Sequence, residues 1–112
     1  MSSPLTLNLR PAELVALHDV LGQMQLFRAD HPSLAANQLL LPAWQMRVIR
    51  HRMMHKAVYR IRVKPEEALA YYALAQSVHL SLTEHTAMVH HQLVTQFDRF
   101  WANLSPVQPV AA

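Results

Sequence analysis

Tyr59-Arg60-Ile61-Arg62-Val63-Lys64-Pro65-Glu66-Glu67 places an apolar side chain at every second position and then meets a proline and two glutamates. Alternation with period two is the pattern of a strand that buries one face. Proline suits the first turn of a helix, where its missing N–H is not needed, and acidic residues there are favoured by the helix dipole. The stretch therefore predicts a short strand running straight into a helix at Pro65. The same order of signals stands 54 residues earlier, in Leu5-Thr6-Leu7-Asn8-Leu9-Arg10-Pro11-Ala12-Glu13. Two matched junctions predict a mainly α chain of four main helices with two short β-strands, organised as two strand-helix-helix units.

Working outward, the first helix is expected from Pro11 to about Ala29. Its apolar stripe is Leu14, Leu17, Leu21 and Met24, with Val20 and Phe27 beside it. Asp30-His31-Pro32-Ser33 breaks it, and Leu34–Leu41 reads as a short helix or a packed loop. Pro42 opens a second helix reaching about Ala57 or Val58. Met46, Ile49, Met53 and Ala57 form its expected core face, with Arg47, His51, Arg52 and His55 on the other side. The helix from Pro65 is apolar nearly all round and is expected to be the most buried element. Ser81-Leu82-Thr83-Glu84 reads as a capping box with Ser81 as the cap. It opens a last helix to about Asn103, with Leu82, Val89, Leu93, Phe97, Phe100 and Leu104 as its stripe and Trp101 flanking. Residues 1–104 are expected to form a single helical domain and residues 105–112, which hold two prolines, a disordered tail.

Composition narrows the function classes. The 112 residues contain no cysteine, which excludes disulfides, thiolate zinc sites and a cysteine nucleophile. Gly22 is the sole glycine, and phosphate-cradling loops need several close together. No apolar run is long enough to span a bilayer. Met1-Ser2-Ser3-Pro4 lacks the basic and apolar parts of a secretory signal, so a cytoplasmic location is expected. Charge is strongly uneven. Seven of the ten basic residues, Arg47, Arg50, Arg52, Lys56, Arg60, Arg62 and Lys64, lie in a stretch with no acid between Asp30 and Glu66. The rest of the chain carries three basic against seven acidic residues, −4 against +7, for a net +3. Such asymmetry points to a polyanionic partner, or to the acidic face of a neighbouring protein.

From Tyr59 to about Phe97 the order of signals resembles the ribbon-helix-helix DNA-binding proteins, relaxosome-accessory versions in particular. The resemblance rests on Arg60-Ile61-Arg62-Val63-Lys64-Pro65-Glu66-Glu67, Ala75 and Leu80-Ser81-Leu82-Thr83-Glu84, with His79 standing where that family usually has a turn glycine. It implies that two strands pair antiparallel and enter the major groove. Arg60, Arg62 and Lys64 would then face the bases, and Ser81 and Thr83 would lie at a phosphate-contacting helix start. In that family the strands usually pair across a dimer. If the first half here is a degenerate second copy, Leu5–Leu9 pairs with Tyr59–Val63 inside one chain.

No catalytic constellation stands out. His51 and His55, one helical turn apart, have a spacing that can bind metal but lack a third ligand. His90 falls in an apolar stripe, as a hydrogen-bonded core histidine does. Glu66 and Glu67 are explained by the helix dipole, and Trp44, Trp101 and the six methionines as core or interface. Tyr59 and His51 are available in principle for stacking on bases. The expectation is a non-enzymatic DNA-binding accessory or regulatory protein without cofactor, metal or nucleotide, dimeric or larger. It would use Arg47, Arg50, Arg52, Lys56, Arg60, Arg62, Lys64, Ser81 and Thr83. The alternative is an oligomeric structural or interaction protein whose basic face binds an acidic protein partner.

Overall fold

Both alternating stretches are strands. The computed structural model describes residues 5–104, and at Trp101, Asn103 and Leu104 the backbone alone. In it Leu5–Leu9 forms β1 and Tyr59–Val63 forms β2. They pair antiparallel within the single chain, Leu5 opposite Val63, Leu7 opposite Ile61 and Leu9 opposite Tyr59. Leu7, Leu9, Tyr59, Ile61 and Val63 point into the core, while Asn8, Arg60 and Arg62 are exposed and Thr6 is half-buried.

Each strand is followed by one extended residue, Arg10 or Lys64, and then directly by a helix that begins at a proline: α1 (Pro11–Leu26) and α4 (Pro65–Ser77). At both junctions the glutamate of the first turn reaches back. Arg10 N–H donates to Glu13 Oε1 at 2.8 Å, and Lys64 N–H donates to Glu67 Oε1 at 2.9 Å. The remaining helices are α2 (Pro32–Gln38), α3 (Leu41–Arg52) and α5 (Glu84–Leu104). The described residues thus form four long helices, one short one and a two-stranded sheet, as the periodicity predicts.

α1 packs against α3 and α5, and α4 packs against α2, α5 and α3. At the centre, Trp44 of α3, Tyr71 of α4 and Phe97 of α5 form a triangle of rings. Their centroids lie 5.5, 5.9 and 5.2 Å apart, at tilted or edge-to-face angles. All three side chains are inaccessible to solvent. Truncating a ring of this kind costs about 3–5 kcal/mol, so these three side chains tie the late helices together. The α1 stripe of Leu14, Leu17, Val20, Leu21 and Met24 is buried as its spacing requires.

Four expectations need correction. First, α1 stops at Leu26. Phe27 turns extended, and Gln38 Nε2 donates to the carbonyls of Met24 and Phe27, satisfying groups that a longer helix would have bonded itself. Second, α3 ends at Arg52, well short of Ala57, and buries Leu41, Trp44 and Val48. Met46 is 50 % exposed and Met53 80 %. Both sets of residues fit a helical period, and the one holding the indole faces the core. Tyr59 fixes the reversal that follows, its hydroxyl donating to the Met54 carbonyl at 2.5 Å. Third, α4 is not buried all round, since Leu69 is 47 % exposed. Fourth, α5 starts at Glu84, with Thr83 Oγ1 accepting the Thr86 N–H at 3.3 Å, so Thr83 takes the capping role expected of Ser81. Ser81 is instead clamped through its backbone: its N–H donates to Gln23 Oε1 at 3.1 Å and its carbonyl accepts from Gln23 Nε2 at 2.9 Å. The expected tail, 105–112, lies outside the described residues.

Candidate nucleic-acid interface

Because β1 and β2 form a sheet with only one face on the core, the other face is a ribbon open to solvent. Side chains alternate along each strand, so Thr6 and Asn8 share this outer face with Arg62 and Arg60, their respective partners across the ladder. Thr6, Arg60 and Arg62 line a shallow recess on it. Arg10 and Lys64, the extended residues that follow the two strands, continue the alternation and are exposed at diagonally opposite ends. The outer row therefore carries Arg10, Arg60, Arg62 and Lys64 and no acid, with Glu66 exposed beyond Lys64 in the first turn of α4. Arg10 was not among the residues singled out from the sequence. It lies far from the basic cluster, and the signal that marks it is its alignment with Lys64 in the repeat.

No family model, curated protein or solved structure matches the chain.

The other expected binding residues divide into two groups. Arg50, Arg52 and Lys56, at the end of α3 and in the loop leading to β2, are exposed. Arg47 is engaged inside the fold. Its Nη1 donates to Glu67 Oε2 at 3.2 Å, its Nη2 donates to Glu67 Oε1, and Nη2 also donates to the Arg62 carbonyl at 3.0 Å. Glu67 is 3 % exposed. It joins α4, α3 and the end of β2 through one carboxylate. Arg47 thus supports the ribbon from behind, and its charge is balanced before any ligand arrives. Thr83 Oγ1 is occupied at the start of α5 by Thr86, and the Ser81 backbone by Gln23.

The stacking candidates are also engaged. Tyr59 is buried and hydrogen-bonded to Met54, and His51 sets its ring edge-to-face on Tyr59 with Nδ1 at 2.8 Å from the Arg47 carbonyl. Because α3 ends at Arg52, His51 and His55 are not a helical i, i+4 pair. Among the described residues no group of three or more His, Asp or Glu side chains is placed to hold a metal ion.

His90 lies half-buried on α5, its Nδ1 2.5 Å from the Tyr71 hydroxyl. Burial pushes the Tyr71 phenol far above its ordinary value, and burial, together with the neighbouring His91, holds His90 below the usual histidine range. Both causes keep this pair neutral. With the imidazole proton assigned to Nε2, the phenol donates to Nδ1. The hydrogen bond expected of His90 is present, and its ring lies at the edge of the core, half-buried, rather than inside it. No helix among the described residues is long and apolar enough to cross a membrane.

Proposed function

We propose that this protein is a non-enzymatic DNA-binding accessory or regulatory protein that sets the outer face of its β1–β2 ribbon into the major groove. The observation that carries the reading is the arrangement of that face: Arg60 and Arg62 exposed at its centre, Arg10 and Lys64 at its ends, and no acid in either strand. The major groove of B-DNA is wide enough for a two-stranded ribbon, and arginine is the commonest bidentate reader of guanine. Terminal cations of this kind suit phosphates, which fix register without reading sequence. Arg50, Arg52 and Lys56 add exposed charge. The ribbon is complete within one chain, so this mode of binding needs no second copy.

The test is fluorescence anisotropy on a mixed-sequence duplex across a salt series, with an Arg60→Ala/Arg62→Ala variant alongside. Affinity is expected to fall steeply with salt. The Arg60→Ala/Arg62→Ala variant is expected to bind weakly with little change in its slope of log affinity against log salt, because those arginines meet bases, whereas Lys64→Ala, at a phosphate-facing end, is expected to make that slope shallower by about 1. No binding by the wild-type chain at low salt overturns the reading.

A second reading rests on a different observation. Met46 on α3 and Met53 just beyond its end are 50 % and 80 % exposed, with Arg50 exposed between them in the sequence. Apolar surface rimmed by positive charge suits an acidic protein partner, in an oligomeric or interaction role. That reading expects a Met46→Gln/Met53→Gln variant to lose partner binding or self-association in light-scattering mass measurements while retaining its fold. It also expects no DNA retention at physiological salt.

A further inference from the structure

We infer that the duplex site read by this ribbon is asymmetric, with guanine favoured under β2 and adenine under β1, and that one chain occupies one site. The inference rests on the DNA reading above and adds to it the form of the sequence recognised.

The argument begins with the register. Leu5 pairs with Val63, Leu7 with Ile61 and Leu9 with Tyr59, so the ladder is centred on the Leu7–Ile61 pair. The repeat offset of 54 makes Leu5 equivalent to Tyr59 and Leu9 to Val63. Each strand residue therefore lies opposite the repeat-equivalent of its own mirror position, as in a ribbon built from two identical strands. A ribbon of identical strands offers the same side chains to both halves of its site, and a palindrome is the matching DNA.

Here the backbone register is symmetric and the outward chemistry is not. Arg10 and Lys64, equivalent in the repeat, are both cations and both follow an extended strand into a proline-started helix. They hold the two ends alike. Between them the equivalents differ. Thr6 stands where the second strand has Arg60, and Asn8 stands where it has Arg62. Arginine pairs in bidentate fashion with O6 and N7 of guanine, and asparagine with N6 and N7 of adenine. Threonine is short and offers one hydroxyl and one methyl. β2 thus carries two long guanine readers, and β1 carries a single short adenine reader and a nearly neutral position. A palindrome gives both strands the same bases and leaves one half mismatched. Each bidentate contact discriminates roughly five- to 150-fold.

The experiment is selection of bound duplexes from a randomised library by the full chain, followed by anisotropy titration of the enriched site and of the two palindromes made from its halves. The expected result is a non-palindromic motif, each palindrome binding at least about five-fold more weakly, at one chain per duplex. Asn8→Ala is expected to lose preference in one half only, and Arg60→Ala in the other. A Thr6→Arg/Asn8→Arg variant makes the two strands alike and is expected to shift the enriched site toward a palindrome. Salt-dependent binding with a palindromic motif, or with no enriched motif, overturns the asymmetry and leaves the DNA reading standing. No binding at low salt overturns both.

Discussion

Glu67→Ala is expected to destabilise the protein by about 3 kcal/mol, and Glu13→Ala, its counterpart in the repeat, by about 1 kcal/mol. Each glutamate accepts the backbone N–H of the residue that follows its strand, at 2.9 Å for Glu67 and 2.8 Å for Glu13. Losing that half of a capping box costs about 1 kcal/mol in both places. Glu67 alone also binds a guanidinium, and the side chains of that pair are 27 % exposed for Arg47 and 4 % for Glu67. Breaking a fully buried pair costs about 3–5 kcal/mol because a charge is left unpaired. Arg47 retains some solvent and its bond to the Arg62 carbonyl, which brings the added penalty to about 2 kcal/mol. Urea unfolding followed by circular dichroism measures the free energies of both variants, and thermal melts followed by the same signal are expected to show a drop of several degrees for Glu13→Ala and about three times as much for Glu67→Ala. Arg47→Met/Glu67→Gln removes both charges and keeps an acceptor for Lys64, so it is expected to recover to within about 1 kcal/mol of wild type. Equal losses for the two alanine variants would show that the ion pair adds nothing to the cap, and the reasoning would fail.

Thr83→Ala is expected to cost about 1 kcal/mol in the same unfolding assay while Ser81→Ala costs little, because only Thr83 caps α5 through its side chain. Gly22→Ala is expected to stabilise the protein by up to about 1 kcal/mol: a Cβ built there meets Gln45 Nε2 at 3.5 Å, an ordinary contact, and alanine favours the middle of α1. The Tyr71–His90 pair sets a pH dependence whose sign follows from His90. Its folded value lies below the ordinary one, so the unfolded chain takes up the proton more readily, and stability is full above about pH 6.5 and falls on acidification. Melting curves at neutral and at mildly acidic pH are expected to show this fall, with a smaller one for His90→Leu; an unchanged fall in that variant would assign the effect to other histidines.

Much of the fold is written locally. The alternation of Leu5–Leu9 and Tyr59–Val63 gives the strands and their outward residues, and Pro11 and Pro65 with their glutamates give the helix starts. What escapes local reading is decided at long range. On α3 two apolar sets share one helical period, and only the meeting of Trp44 with Tyr71 and Phe97 selects the buried one. Ser81-Leu82-Thr83-Glu84 has the form of a box at Ser81, yet Gln23, 58 residues away in the chain, takes that residue's backbone, and the cap moves to Thr83. Arg47 sits in a basic run that reads as one surface, and its pairing with Glu67 depends on α3 lying beside α4. The end of α3 was closer to legible, since Arg50, His51 and Arg52 favour the negative end of a helix dipole. For the ribbon face, clustering of charge found Arg60, Arg62 and Lys64, and only the repeat finds Arg10.

The exposed segment Met53–Val58 joins the unit that begins with β1 to the unit that begins with β2. It acts as a tether. Because the ladder forms between strands some 54 residues apart in one molecule, each strand meets its mate at an effective concentration fixed by the chain, on the order of millimolar, whatever the dilution. Severing the backbone within 53–58 would replace that constant with the actual concentration of two fragments. The ribbon would then assemble as a heterodimer, dissociating on dilution and held together by the β1–β2 ladder and by the packing of α1, α2 and α3 against α4 and α5.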